Sequence, residues 1–189
     1  MAALRLFVAV PVAPALADGI AELLAKMAKY RGVRWVSKAQ LHITLRFIGD
    51  FEEKLLPKLE QGLRESALSS APFEAEIGGL GAFPRLERPR VLFIPVLKGM
   101  EEFGSLEKKL SVLLGSFGVE PDDKEYYPHL TLGRVREKED PEAAVKALKG
   151  TCPAHWESWK ADRFILFKSQ LASGGSIYTS LGDYGFGKE

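Results

Sequence analysis

Leu41-His42-Ile43-Thr44-Leu45 and, 87 residues later, Pro128-His129-Leu130-Thr131-Leu132 are two copies of one short segment. On an extended strand, residues two apart share a face and the residue between them points the other way. Each His and Thr therefore project together, with Ile43 or Leu130 turned to the opposite side. The segments predict two strands, each with a polar pair on one side and core behind it.

The repetition extends outward. Upstream, Leu6-Phe7-Val8-Ala9-Val10 matches Leu92-Phe93-Ile94-Pro95-Val96 at an offset of 86 residues, so one insertion or deletion separates the two spacings. Both runs read as short buried strands. After the first, Leu16, Ile20, Leu23, Leu24 and Met27 recur at helical spacing. After the second, Phe103, Leu106, Leu110, Leu113 and Leu114 do the same. Gly32 and Gly118 then sit where helices end. Downstream of the polar pairs, further helices are expected over 52–67 and 141–148, the latter opened by Asp140 and Pro141. Additional strands fit 73–80, 156–170 and 177–181, with turns at Gly78-Gly79, at Gly81 and at Ser173-Gly174-Gly175-Ser176. The expected architecture is α+β: two pseudo-symmetric β-α-β-α lobes whose sheets line a central cleft. One domain takes in residues 1–189, with repeat 1 over 4–70, repeat 2 over 90–150, and added strands within 72–82 and 156–182.

Charge narrows the function classes. With 26 basic and 25 acidic residues the net charge is +1, so the chain lacks the basic excess that coats long nucleic acid. Any contact with RNA is expected through a local pocket. A single cysteine, Cys152, excludes an intrachain disulfide and fits a reducing, cytoplasmic compartment. The run from Leu4 to Ala17 resembles the apolar core of a signal peptide. Pro11 and Pro14 interrupt it, however, and its match to Arg90–Val96 makes a retained strand the better reading. No stretch is long and apolar enough to span a bilayer as a helix.

Paired histidines suit phosphodiester chemistry. One with a pKa near neutrality deprotonates a nucleophile and the other protonates a leaving oxygen. Thr44 and Thr131 hydroxyls then meet the charge on the phosphoryl oxygens. The bland alternative is a pair of half-buried strand histidines satisfied by their threonines, and the residues alone leave open which histidine is acid and which base. Phe47 and Arg134 each follow a histidine by five positions. Strict alternation turns Arg134 away from His129, so a phosphate contact requires a bulge near Gly133. Phe47 reads first as core and second as a stacking surface for a base. Arg46 shares the face of His42 and Thr44 and is placed at the cleft rim. Tyr126 and Tyr127 stand beside the second motif, either flanking the cleft or packing. Arg85, Arg88 and Arg90 read as a solvated loop, and His155 as structural. The histidine spacing matches no metal motif, and no glycine-rich phosphate loop is present, so no metal and no cofactor are expected.

The two His-x-Thr motifs resemble those of the 2H phosphoesterase superfamily. LRLFVAV (4–10), VRWVSKAQLHITLRFIGD (33–50), PRVLFIPV (89–96), YPHLTLGRV (127–135) and DRFILFKSQL with GSIYTSL (162–181) are similar to its RNA 2′,3′-cyclic phosphodiesterase branch, also called 2′-5′ RNA ligases. The resemblance covers nearly the whole chain. It implies hydrolysis of 2′,3′-cyclic phosphate RNA ends to 2′-phosphates, with reverse 2′-5′ joining in some members. It implies His42 as proton donor to the 3′ oxygen, His129 as the base, and Arg134 as a phosphate contact. The implied partner is an RNA end, tRNA halves among the candidates; no membrane contact is expected, and a monomer is favoured although the residues leave the oligomeric state open. Related chemistry on 2′-5′ oligoadenylate or ADP-ribose cyclic phosphate, and non-catalytic binding of RNA ends, are the alternatives. Since acid, base and charge-stabilising donors are all protein groups, turnover of a nucleoside 2′,3′-cyclic phosphate should survive excess EDTA. Loss of turnover in EDTA, restored by zinc or manganese, would contradict this.

Overall fold

The structure is a computed structural model, and it describes residues 3–136, 139–172 and 175–187. The first strand, β1 (Ala3–Pro11), carries five consecutive buried residues, Leu6 to Val10. That pattern belongs to a strand covered on both faces. Leu6, Val8 and Val10 join the main core, whereas Phe7 and Ala9 are buried on the other side. Helix α1 (Pro14–Met27) opens on a proline, whose fixed φ suits a first helical turn. It buries Leu16, Ala17, Ile20, Leu23, Leu24 and Met27 as one stripe. A short strand β2 (Val33–Trp35) precedes β3 (His42–Glu52) and helix α2 (Leu56–Leu68).

The second half repeats this order. After β4 (Phe73–Ile77) and β5 (Gly81–Phe83) come β6 (Val91–Lys98), α3 (Met100–Gly115), β7 (His129–Val135) and α4 (Glu142–Thr151). Strands β8 (Trp159–Ala161), β9 (Arg163–Ala172) and β10 (Gly175–Gly185) follow. The strand order is β10-β9-β1-β3-β7-β6-β4-β8, antiparallel throughout, with β2 against β7 and β5 against β6. A pseudo-twofold axis thus passes between β3 and β7, where Ile43 faces Leu130 as the one registered pair. Each half borrows its outer strand: β4 follows the first β-α-β-α unit but pairs with β6, and β9 follows the second but pairs with β1. The fold is α+β, as the repeated segments predict.

Several local expectations are corrected. The stretch 156–170 is not one strand. Trp156 lies outside any strand, β8 pairs with β4 near one end of the sheet, and β9 pairs with β1 and β10 in the other half. The chain must cross between those places, and it breaks at Asp162 to do so. Strand β10 runs longer than 177–181 because it accompanies β9 along its length, with a bulge between Ser180 and Gly182. Helix α2 starts later than residue 52: β3 runs on to Glu52, and a 3₁₀ turn over Glu53–Leu55 precedes the helix. Gly118 does adopt the left-handed conformation past α3 (φ 78°), but α1 closes at Ala28 in a right-handed turn and Gly32 plays no such part. Of the expected turn at 173–176, Ser173 and Gly174 lie outside the described residues.

The Ile43–Leu130 contact is fully buried, at 0% exposure on both sides. Truncating it leaves a cavity that the strands cannot easily collapse around. Ile43→Ala should lower stability by about 3 kcal/mol, read as a lower urea midpoint with an unchanged m-value. Val112→Ala, at a residue 80% exposed, should change it by less than about 0.5 kcal/mol. A cost below about 1 kcal/mol for Ile43→Ala would show that the strand junction tolerates a void.

Candidate active site

Each central strand carries one extra residue directly after its His-x-Thr. On β3, Ala9 pairs with Thr44 and Val8 with Arg46, so Leu45 is passed over. On β7, Phe93 pairs with Thr131 and Leu92 with Gly133, so Leu132 is passed over. Such bulges invert the alternation beyond them. Leu45 and Arg46 both fall on the core side, and Phe47 returns to the face of His42. By the same step Leu132 and Gly133 face the core, and Arg134 returns to the face of His129. The bulge that a phosphate contact by Arg134 demanded is present.

The register brings the two motifs together. Counted from Ile43 and Leu130, it sets His42 across from Thr131 and Thr44 across from His129. Phe7 of β1 packs on His42 at 5.1 Å between ring centroids, with Phe167 and Tyr178 at 6.0 and 5.6 Å. Phe93 of β6, the counterpart of Phe7, packs on His129 at 4.9 Å, with Phe83 at 5.0 Å. These rings displace water from the imidazoles. Burial therefore drives the His42 pKa down to about 4; a hydrogen bond with the Gln40 backbone opposes the shift, and the nearby His129 adds to it. Burial also lowers the pKa of His129, against a hydrogen bond to Tyr127, and the positive charge of Arg134 lowers it further. His129 Nδ1 lies 2.7 Å from the Tyr127 carbonyl oxygen, which fixes the tautomer with the proton on Nδ1 and leaves the Nε2 lone pair free.

A cavity of about 720 Å³ opens beside the pair. Thr44, Phe47, Phe83, Arg90, Tyr127 and His129 are among its lining residues, while His42 and Thr131 are not. Phe47 is 57% exposed and rests on Phe7 at 5.9 Å, so its reading as a core residue is wrong; the bulge delivers it to the cleft. The rim reading of Arg46 is likewise overturned. It is 1% exposed and points behind β3, where its Nη2–H donates to the Glu120 carbonyl and its Nη1 meets the Asp122 carboxylate. Tyr126 lines the same cavity and donates its hydroxyl to the Thr44 carbonyl at 3.0 Å. A larger groove of about 1200 Å³, between residues 86–90 and α4, holds none of the His-x-Thr residues.

Other candidates fall away. Arg85 and Arg88 are exposed. His155 is exposed and pairs with Glu76 at 2.6 Å. Cys152 donates its thiol to the Gly79 carbonyl, and burial raises its pKa, so it is no thiolate nucleophile. Among the described residues no group of three His, Cys, Asp or Glu gathers closely enough to hold a metal ion. Sequence reading missed Gln40, Phe7 and Phe93. The repeat itself signals the latter two, since both phenylalanines occupy the same place in matched strands.

A family model described as the 2′-5′ RNA ligase superfamily matches residues 10–171. The chain is 35% identical over 181 residues to the RNA 2′,3′-cyclic phosphodiesterase of Archaeoglobus fulgidus, covering 94% of this chain and 98% of that one. It is 33% identical over 183 residues to the protein of the same name from Thermus thermophilus, covering 94% and 88%. A solved structure from Thermus thermophilus superposes with a TM-score of 0.81 at 30% identity, covering 98% of this chain and 99% of that one. Escherichia coli LigT complexed with 3′-AMP superposes with a TM-score of 0.79 at 22% identity, covering 98% and 99%, a likeness of fold.

The depressed His42 pKa has a stability consequence. The unfolded chain takes up a proton near pH 6.5, while folded His42 does so only near pH 4. The contribution is full above 6.5 and is lost as pH falls toward 4. Between pH 7 and 4.5, wild type should lose about 2 kcal/mol more unfolding free energy than His42→Gln. Identical losses in urea titrations of the two proteins would refute the assignment.

Proposed function

We propose that this chain, which belongs to the 2′-5′ RNA ligase superfamily, hydrolyses 2′,3′-cyclic phosphate ends of RNA to 2′-phosphates with His42 and His129 as its acid–base pair. The observation that carries this is the facing of two His-x-Thr strands across one registered residue pair, close enough for His129 to oppose the protonation of His42. The relatives named as RNA 2′,3′-cyclic phosphodiesterases support the substrate class.

His129, held neutral with Nε2 free, takes a proton from water as the water oxygen attacks phosphorus. The bond from phosphorus to the 3′ oxygen breaks, and that oxygen leaves with a proton from His42. The 2′ oxygen keeps the phosphoryl group. Charge on the non-bridging oxygens is met by the Thr44 and Thr131 hydroxyls and by Arg134. Phe47, exposed beside Thr44, offers a face on which the terminal base stacks. With a ribose hydroxyl in place of water, the same proton transfers run in the joining direction and give a 2′-5′ linkage.

His42 near 4 is neutral in the empty cleft at physiological pH, so the acid needs the substrate anion to raise its pKa. The alkaline limb of kcat should therefore lie at higher pH than that of kcat/KM, while the acidic limb of kcat/KM lies below 6.5 because His129 is also depressed. His42→Ala and His129→Ala should each reduce turnover about 100-fold or more, with a combined loss well short of the product. His129→Ala should erase the acidic limb, and His42→Ala the alkaline one. Near wild-type turnover of a cyclic phosphate by both single variants would end the paired-histidine reading.

A further inference from the structure

Offset by 87 residues, β2 and the segment at Glu120–Asp122 are counterparts, as are Gly133 and Arg46, and Tyr127 and Gln40. The two halves use these positions differently. In the second lobe, β2 lies directly on the bulge as a paired strand, Trp35 facing Gly133 and Arg34 facing Arg134. A side chain at Gly133 has no room, because its Cβ would come within 2.7 Å of Val33 and 3.0 Å of the Arg34 carbonyl oxygen. In the first lobe the counterpart of β2 makes no strand. The buried side chain of Arg46 fills the gap and grips that segment instead.

We infer that Arg46, on the first lobe, is a positioning residue that sets the orientation of His129 on the second, an inference that rests on the acid–base reading above. The contacts run in one direction. The Arg46 guanidinium holds the Glu120 carbonyl and the Asp122 carboxylate, with Glu107 of α3 at 4.0 Å from Nε as a second counter-charge. Its Nε–H and Nη1–H make no well-directed hydrogen bond, so the acidic contacts are ionic and the one directed bond is to the backbone of the segment 120–127, a strap that leads into β7. Further along the same strap, Tyr126 bonds the Thr44 carbonyl, two residues from Arg46 on β3. The next residue, Tyr127, presents the carbonyl that orients His129 Nδ1. The strap is thus pinned at both ends to β3, and its last carbonyl fixes the His129 tautomer.

His42 is set by other means. Its partner Gln40 accepts from the Ser37 backbone N–H and donates to the Ser176 carbonyl of β10. Acid and base are therefore held by separate devices, and damage to one should not reach the other.

Arg46→Met removes the charge and leaves Asp122, which is 65% exposed, to solvent. It should lower kcat about tenfold with KM changed less than about twofold, the scale of a misplaced catalytic group. Arg46→Lys should recover part of the loss, and Asp122→Asn should fall between Lys and wild type. ¹⁵N NMR of the imidazoles in the full chain should show His129 passing from one Nδ1–H tautomer to a mixture in Arg46→Met, with His42 unchanged. Gln40→Ala should disturb His42 and leave His129 alone. A kcat and a His129 tautomer that match wild type in Arg46→Met, whatever its melting temperature, would overturn the inference. Should that variant not fold, the same two readings on Asp122→Asn decide it. Absence of turnover in the wild type would sink the phosphodiesterase reading alone, since the NMR comparison needs no substrate.

Discussion

The site depends on one inserted residue in each central strand. Without the register slips at Leu45 and Leu132, side chains beyond the threonines would keep strict alternation. Phe47 would then sit in the core and Arg134 would point away from His129. The slips change the third residue of the polar face on each strand: Phe47 in place of Arg46 after His42 and Thr44, and Arg134 in place of Gly133 after His129 and Thr131. They also place two consecutive residues on the core side, which is costly unless something fills or vacates that volume. Gly133 vacates it for β2, and Arg46 fills it. The chemistry at the front of the sheet and the packing behind it are consequences of the same local geometry.

Most of the fold was legible because it rests on alternation and helical spacing. The apolar runs 6–10 and 92–96 recur with their helices, and both became inner strands that flank the central pair β3 and β7. The exchange of outer strands between halves was not legible, since β4 and β9 carry no signal of which neighbour they choose. Likewise His42, Thr44, His129 and Thr131 announced themselves by type and spacing, whereas Arg46 and Phe47 were placed on the wrong faces. A bulge leaves little mark in composition, and the one clue lay in comparing the copies. Arginine and glycine at equivalent positions, 46 and 133, differ so much in volume that the surroundings behind the strands could not be alike. Gln40 and Tyr127 orient their histidines through backbone groups, for which side-chain identity is a poor guide.

A near-neutral chain can handle a polyanion if its charge is concentrated locally. Here aromatic walls do part of that work. Phe7, Phe167 and Tyr178 around His42, and Phe83 and Phe93 around His129, keep both imidazoles neutral in the empty cleft. In the proposed reaction an entering phosphodiester would bring the negative charge that makes protonation of one imidazole favourable. In the proposed mechanism the site thus couples the charging of its acid to the arrival of substrate, and the low dielectric that depresses the free pKa would strengthen the contact once the anion is bound.

That coupling requires the two histidines to differ, although their sequence surroundings are nearly repeated. The difference lies in their neighbours. His129 has Arg134 on its own face, a fixed positive charge that opposes its protonation. The corresponding position near His42 is Phe47, which carries no charge. When a phosphate anion binds between them, the proton it attracts is resisted at His129 and unopposed by any arginine of the same strand at His42, since Arg46 is turned into the core. The Arg134 charge therefore disfavours a protonated His129, in the same direction as the proposed placing of the base at His129, while burial, which opposes charge on both rings, has to be overcome at His42 by the bound anion. The bulges create this asymmetry by choosing which side chain of each strand, Phe47 or Arg134, shares the face of its histidine.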